Sequence, residues 1–302
     1  MMSNVVCPAC RHPESTIFTA DPKDVEYFVT RKMPATVRRC TKCRSLFQDP
    51  WPSEVETSTF YGPRYNYYAG SKVPLLSQLH FAQNRMEAAR LAERYGRDAR
   101  ILDFGCGHCS LLNALKSIGS RNIYGFDFLR ERPTPLADGI PYYGSEAELA
   151  AAGRTYDVIR LNHVIEHLTD YDGTLRLLRT LLADGGSLIG QTPNGGHYTS
   201  TILGRRWGNL HYPYHTLLLS HEGMRALAAR TGFKVEEIGK TMMPTGVAMG
   251  IENAIKGATG WKAMGRTPIY TLLIAAATPL AIHDRFAPWM ETNIIDFRWS
   301  VA

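Results

Sequence analysis

The stretch Ile101-Leu-Asp-Phe-Gly-Cys-Gly-His-Cys-Ser-Leu-Leu112 decides the fold. An apolar run ends at Asp103, Gly105 and Gly107 follow, and a helical apolar pattern then begins. This reads as a strand, a tight glycine turn and a helix. Glycine takes positive φ without a Cβ penalty and lets a backbone approach a ligand closely. The open N-terminus of the next helix offers unpaired N–H groups to a polar ligand. Such a turn is a weak signal alone. The dinucleotide fingerprint asks for G-x-G-x-x-G and an acidic residue about 20 positions on. Ser110 stands where its third glycine would fall, but the acidic residue is present: Asp127 ends the next apolar run, Asn122-Ile-Tyr-Gly-Phe-Asp127. A carboxylate at the tip of a second strand is placed to accept hydrogen bonds from ribose hydroxyls.

Working outward, the apolar spacing predicts helices over 75–95, 109–118, 145–152 and 171–183. Strands are expected over 100–104, 122–126, near 140–143, and over 157–161 and 186–191. Alternation of this kind implies a parallel sheet with helices on both faces. Gly119 and Gly185-Gly186 sit where helices should stop. Ligands of such sheets bind at the carboxyl ends of the strands, where Asp103, Gly105, Asp127, Asn162 and His163 fall. After Asn194 the periodicity lapses through His215, and long loops in compact domains are usually functional. Ser220 should cap a helix to Arg230, and Gly232-Phe-Lys-Val starts another strand. Residues 245–290 carry apolar helical material, and Asn293 to Val301 alternates as a strand that would close the sheet as its last, antiparallel member. Within that material Ile269 to Ile282 is too short to span a bilayer, which takes about 20 apolar residues. A buried helix is expected there, in preference to a membrane-surface or lipid contact.

Asp103-Phe-Gly-Cys-Gly107 resembles the first motif of class I S-adenosylmethionine-dependent methyltransferases. The resemblance continues through Tyr124-Gly-Phe-Asp127, Tyr156-Asp-Val-Ile-Arg-Leu-Asn-His-Val-Ile-Glu-His167 and Leu182-Ala-Asp-Gly-Gly-Ser-Leu-Ile-Gly-Gln-Thr-Pro-Asn194, and covers most of residues 85–240. The family often has G-x-G-x-G, and Cys109 stands in place of the last glycine. The resemblance implies an α/β, doubly wound, mostly parallel seven-stranded sheet of the Rossmann-like methyltransferase type. Residues 97–302 would form that domain with a C-terminal helical insertion, after a linker and helical lead-in at 51–96. S-adenosylmethionine is the implied cofactor. Gly105, Cys106 and Gly107 would lie at its turn, Asp127 at the ribose, and Asp103, Asn162 and His163 toward its amino-acid end.

Residues 1–50 read as a separate unit. Cys7-Pro-Ala-Cys10 and Cys40-Thr-Lys-Cys43 each put two thiolates on one tight turn, and together they supply four soft ligands for a structural Zn²⁺. The start of the chain lacks the pattern of a signal peptide, which favours zinc over disulfides and a cytoplasmic location. The order of knuckles, Phe-x-x-Pro, the tyrosines of Phe60 to Tyr68 and the methyltransferase motifs resembles a bacterial subgroup with an N-terminal zinc ribbon. Sugar methyltransferases belong to that wider group. Packing of the ribbon onto the catalytic domain is the expected role of the tyrosines.

Methyl transfer asks the protein to orient an acceptor and often to remove its proton. His163, Glu166 and His167 follow a strand directly, and at i, i+3 and i+4 they share one face if the chain turns helically. Some methyltransferases of this class bind a divalent metal through a Glu-x-x-Glu-His and a later His. Glu166 and His167 match that pattern, His215 sits where the later His would be, and His163 departs by replacing a Glu. The alternative is local pairing without metal. His211 and His215 flank Tyr-Pro-Tyr on the long loop, and one of them is the expected general base, since an unperturbed imidazole pKa near 6.5 suits the task. Cys106-Gly-His-Cys109 also matches a thiol-oxidoreductase tetrapeptide, but it stands inside a full methyltransferase motif set.

With 34 Lys+Arg against 28 Asp+Glu in 302 residues, the net charge of +6 is diffuse and does not indicate nucleic acid. The expected acceptor is a hydroxyl on a sugar, a nucleotide sugar or another small metabolite. C- or N-methylation and a catalytically inactive scaffold are the alternatives.

Overall fold

The computed structural model describes residues 5–23, 29, 31–61, 74–128, 131–259 and 268–302. Three strands come first: β1 (Ser15–Ala20), β2 (Thr36–Cys40) and β3 (Leu46–Asp49). Helices α1 (Glu54–Ser58) and α2 (Pro74–Tyr95) follow. Strand and helix then alternate through β4 (Ile101–Phe104), α3 (Ser110–Ser117), β5 (Ile123–Phe126), β6 (Tyr142–Tyr143), α4 (Glu146–Ala151), β7 (Tyr156–Asn162), α5 (Tyr171–Leu181) and β8 (Leu182–Pro193). The last third holds α6 (Tyr198–Leu203), β9 (Leu217–Leu218), α7 (His221–Arg230), β10 (Phe233–Lys240), α8 (Thr245–Thr259), α9 (Pro268–Phe286) and β11 (Ile294–Val301).

The main sheet has seven strands in the order β10-β11-β8-β7-β4-β5-β6. β11 is antiparallel to both neighbours, and the β8-β7-β4-β5-β6 ladder is parallel throughout. The expected α/β doubly wound sheet is therefore observed. Strand alternation shows why. Ile101, Ile123 and Val158 pack with Leu91 of α2 and Leu111 and Leu115 of α3 on one face. Their chain neighbours Leu102, Tyr124 and Ile159 pack with Leu175 and Leu178 of α5 and Leu227 of α7 on the other. Strands buried on both faces read as continuous apolar runs. The chain leaves β4 toward β5 on one side and β7 on the other, so the switch point lies at the carboxyl end of β4.

Four local expectations change. β11 is antiparallel as expected but lies inside the sheet, between β10 and β8. Gly185-Gly186 does not end a helix: α5 ends at Leu181 and both glycines lie within β8. There a Cβ on Gly186 would come within 2.9 Å of the Ala183 carbonyl oxygen, so the close approach of backbones requires glycine. The 195–215 segment is not bare loop, since it holds α6 and two 3₁₀ turns at 204–206 and 208–210. Finally, 269–282 is not a buried helix. Ala277 and Ala281 face inward, while Leu272, Ala275, Ala276, Pro279 and Ile282 form an exposed stripe continued by Phe286. Among the described residues, no helix is long and apolar enough to cross a membrane.

The N-terminal strands make a second sheet, β1-β2-β3-β9, all antiparallel. Its fourth strand comes from beyond residue 215, so the ribbon is sewn to the main domain by backbone pairing of Leu46 with Leu218 and Phe47 with Leu217. Cys7, Cys40, Cys43 and Phe47 share one apolar cluster with Leu175, Met224 and Leu227.

Candidate functional site

At the end of β4 the chain turns through Gly105 at φ +80° and Gly107 at φ +47°. A Cβ on Gly105 would meet Val164 Cγ2 at 2.4 Å, so both conformation and space demand glycine. The amides of Gly105 and Cys106 donate to the Phe126 carbonyl at 2.7 and 2.9 Å, which ties the turn to β5. The Gly107 amide donates to Asp127 Oδ2 at 2.8 Å. Cys109, in place of the family's last glycine, takes the left-handed conformation at φ 58° as the N-cap of α3. A residue with a Cβ is disfavoured there by roughly 1–2 kcal/mol, which accounts for the glycine usual at that place. Cys106 is buried, with its Sγ 3.7 Å from that of Cys109.

Asp103 is buried near the carboxyl end of β4 and accepts from Arg160 Nη1 at 2.8 Å. Arg160 in turn binds Glu87 of α2 through Nε and Nη2 at 2.6 and 3.1 Å. Burial pushes the Asp103 carboxyl above its ordinary range, against the pull of Arg160. Arg160 and Glu87 were not anticipated. The signal was there, because an arginine inside the apolar run of β7 needs a buried partner.

Asn162 ends β7, opposite Gln191 of β8. His163 follows in the left-handed region at φ 55°, its amide donating to Gln191 O at 2.8 Å and its Nδ1 lying 3.3 Å from Glu166 Oε1. Residues 165–167 form a single 3₁₀ turn. Glu166 is fully buried and accepts from the Thr192 hydroxyl at 2.9 Å. Burial works to raise its carboxyl, but the hydrogen bond from His163 and the nearby imidazoles outweigh it and hold Glu166 below the usual carboxylate range.

The long loop returns to this turn. Glu166, His167 and His215 offer ligand atoms all within 4.8 Å of one another. His167 Nδ1 lies 3.1 Å from the Tyr214 carbonyl and 3.0 Å from the Tyr61 hydroxyl. His215 Nδ1 lies 2.8 Å from the Asn209 carbonyl. A carbonyl can only accept, so in each ring Nδ1 carries the proton and Nε2 keeps its lone pair. That is the arrangement in which carbonyls behind the rings aim imidazoles at a metal. His211 lies beside this group, its ring stacked on Tyr214 at 4.7 Å and set edge-on to His215 at 4.9 Å. Burial pushes His211 down to about 3 and His215 well below its ordinary value, so neither has the unperturbed imidazole on which a loop base was expected. Tyr65, Tyr67 and Tyr68 lie outside the described residues.

In the ribbon, Cys7 and Cys43 Sγ are 3.7 Å apart and Cys10 and Cys40 Sγ 3.5 Å apart. Four sulfurs about 2.3 Å from a tetrahedral zinc would be separated by about 3.8 Å, so the set fits that ion.

The strand order, with a glycine turn at the switch point and a carboxylate on the next strand, is that of the Rossmann-like methyltransferase fold. Residues 78–238 match the family model described as a methyltransferase domain, and the chain belongs to that family. Membership removes the thiol-oxidoreductase reading of Cys106 and Cys109. Similar curated proteins include a ubiquinone biosynthesis O-methyltransferase of Cereibacter sphaeroides, 34% identical over 119 residues, or 36% of this chain and 47% of that one. Another of the same name, from Mesorhizobium japonicum, is 31% identical over 122 residues, or 35% of this chain and 49% of that one. The chain thus spans about half the length of the curated relatives it matches. Among solved structures, magnesium protoporphyrin IX methyltransferase from Synechocystis PCC 6803 with bound SAH is 20% identical, with a TM-score of 0.43, over 62% of this chain and 86% of that one.

Proposed function

We propose that the chain methylates a hydroxyl of a small metabolite with S-adenosylmethionine as donor, residues 97–302 forming the catalytic domain and residues 1–50 a zinc ribbon. The observation that carries this reading is the meeting of two groups at the carboxyl ends of adjacent parallel strands: the Gly105–Gly107 turn after β4, with Asp127 on the Gly107 amide and Gly105 packed on Val164, and the turn after β7 that carries His163, Glu166 and His167 beside His215. Asp127 would take the ribose hydroxyls, and the Gly105–Gly107 turn would let the backbone approach the ligand. The cofactor supplies the electrophilic methyl group. The chain has to hold the acceptor oxygen in line and accept its proton.

His163 suits the second task better than the loop histidines. Its side chain is 25% exposed at the strand end, while Glu166 holds its Nδ1. With Nδ1 so held, Nε2 is the basic atom, and Glu166 stabilises the imidazolium that forms. Glu166, His167 and His215 would hold a divalent ion, whose chemistry would be to lower the pKa of an acceptor hydroxyl. Sugars, phenols and related hydroxyl compounds all meet these demands.

The test is to incubate the purified protein with S-adenosylmethionine and a pooled set of small hydroxyl compounds, then read products by mass spectrometry. A product heavier by one methylene is expected, and about one zinc per chain by elemental analysis. No turnover with intact cofactor binding would return the chain to a scaffold role.

A further inference from the structure

Gln48 of β3 carries the ribbon to the 211–216 loop, on the proposed acceptor side of the site. It is 2% exposed, and both ends of its carboxamide are engaged. Nε2 donates to the Pro213 carbonyl at 2.7 Å and to the His215 carbonyl at 2.8 Å. Oε1 accepts from Arg31 Nη1 at 2.9 Å. The orientation of the amide is unambiguous, since guanidinium can only donate and carbonyls can only accept. The backbone of Gln48 adds an N–H bond to Thr216 O at 3.1 Å. Behind it, Arg31 is gripped by Glu56, with Nε to Oε1 at 2.8 Å and Nη2 to Oε2 at 2.9 Å. A continuous polar chain therefore runs Glu56, Arg31, Gln48, and then the main chain of 213–215.

The other side of the same loop is tied to the turn that carries Glu166 and His167. Thr216 N–H donates to Glu166 O at 2.8 Å, and the Thr216 hydroxyl donates to Leu168 O at 2.6 Å. The loop is clamped between ribbon and turn, and His215 is the residue in the clamp. Two carbonyls two residues apart on a largely buried loop have few ways to be satisfied. Loss of their shared donor would leave two buried acceptors, each costing more than an ordinary hydrogen bond contributes.

We propose that Gln48 is a positioning residue for acceptor chemistry: it sets the 211–216 loop, and so the place of His215 relative to Glu166 and His167. The ribbon is then a working wall of the site. The inference rests on the methyltransferase reading above for its catalytic consequence, and on hydrogen bonding alone for its structural one. Catalytic geometry is unforgiving, a misplacement of about 1 Å costing up to about 10²-fold in rate.

The experiment compares the full chain with Gln48→Leu, which keeps the volume and removes the donors, and Gln48→Glu, which turns lone pairs toward both carbonyls. Arg31→Lys is the milder third variant, weakening the grip on Oε1. Three readouts are taken: turnover on the acceptor found for wild type, affinity for S-adenosylhomocysteine by calorimetry, and hydrogen exchange by segment. Expected are a fall in kcat of about 10- to 100-fold in Gln48→Leu, unchanged cofactor affinity, and faster exchange confined to 211–216. Arg31→Lys should show the same pattern, smaller. Unchanged kcat in Gln48→Leu overturns the proposal. Faster exchange throughout 36–47 overturns it too, because the residue would then be holding the ribbon rather than the loop. Failure of all three variants to fold has the same meaning. If wild type methylates nothing, the functional reading fails separately, and the exchange pattern alone decides whether Gln48 sets the loop.

Discussion

The two sides of the proposed site are built by opposite means. The proposed cofactor side comes mainly from one run of chain, Asp103 to Asp127, its turn held by main-chain bonds to β5 and by Gly107 N–H closing on Asp127, with Arg160 the one tie to Asp103 described from outside the run. The proposed acceptor side is assembled from segments far apart in sequence: Gln48 in the ribbon and Tyr61 beyond it, Glu166 and His167 after β7, and His215 on the long loop. The first can be carried intact from one protein to another as a motif. The second exists only when ribbon, turn and loop meet, so it is easier to break and freer to vary with the substrate.

The largest effect expected from this contrast is at His163. Replacement by alanine would mix chemistry with backbone strain, since the residue sits at φ 55°. His163→Asn avoids that, because asparagine tolerates the left-handed region. Loss of the proposed base should lower turnover by about 10²–10⁴, with S-adenosylhomocysteine affinity retained. Product quantified by mass spectrometry against time is the measurement. Undiminished turnover would move the base to His215 or to a hydroxyl activated by a metal.

On the cofactor side, Asp127→Ala should act in the reverse sense. It removes a charge-assisted acceptor worth roughly 1.5–3 kcal/mol, which is about 10- to 100-fold in cofactor affinity. Turnover at saturating cofactor should change little. Calorimetry showing unaltered affinity would take Asp127 off the ribose. A large fall in saturated turnover would mean that the two sides are not independent.

The same contrast governs what the sequence could tell. The turn at Gly105, the carboxylate at Asp127 and the Ser220 cap of α7 were legible because their chemistry is local. Glu166, His167 and His215 were legible as a group only through resemblance, since nothing in the spacing of residues 167 and 215 brings them together. β11 shows the limit in the fold: its alternation marked a strand, but its insertion between β10 and β8 is a matter of distant pairing. α6 escaped notice because its Thr-Ser-Thr core is a poor helix former, held by packing. Gln48 was invisible, an ordinary polar residue on a short strand until the loop folds against it.

Acid should separate the two sides with the smallest and most informative effect. Half-buried histidines dominate the proposed acceptor side, and loss of solvation lowers His167, His211 and His215 alike, His211 to about 3. An unfolded or opened loop restores an imidazole near 6.5. Between those values the open state binds more protons than the closed one, so stability contributed by these residues is present above about 6.5 and falls as pH drops toward 3. For His211 alone, one pH unit below its free value is worth about tenfold in the opening equilibrium. Asp103 on the cofactor side has the opposite sign, because burial raises its carboxyl. Its contribution is fully present below the unfolded value and is lost as pH rises through the folded one, so acid should not loosen it. Hydrogen exchange at pH 7 and pH 5.5, corrected for intrinsic rates, should therefore show opening of 211–216 while 101–107 stays protected. Equal protection of both segments at the lower pH would mean that the loop histidines are reached by protons without opening. Equal loss would mean that the site unfolds as one unit, and the division into a local side and an assembled side would be wrong.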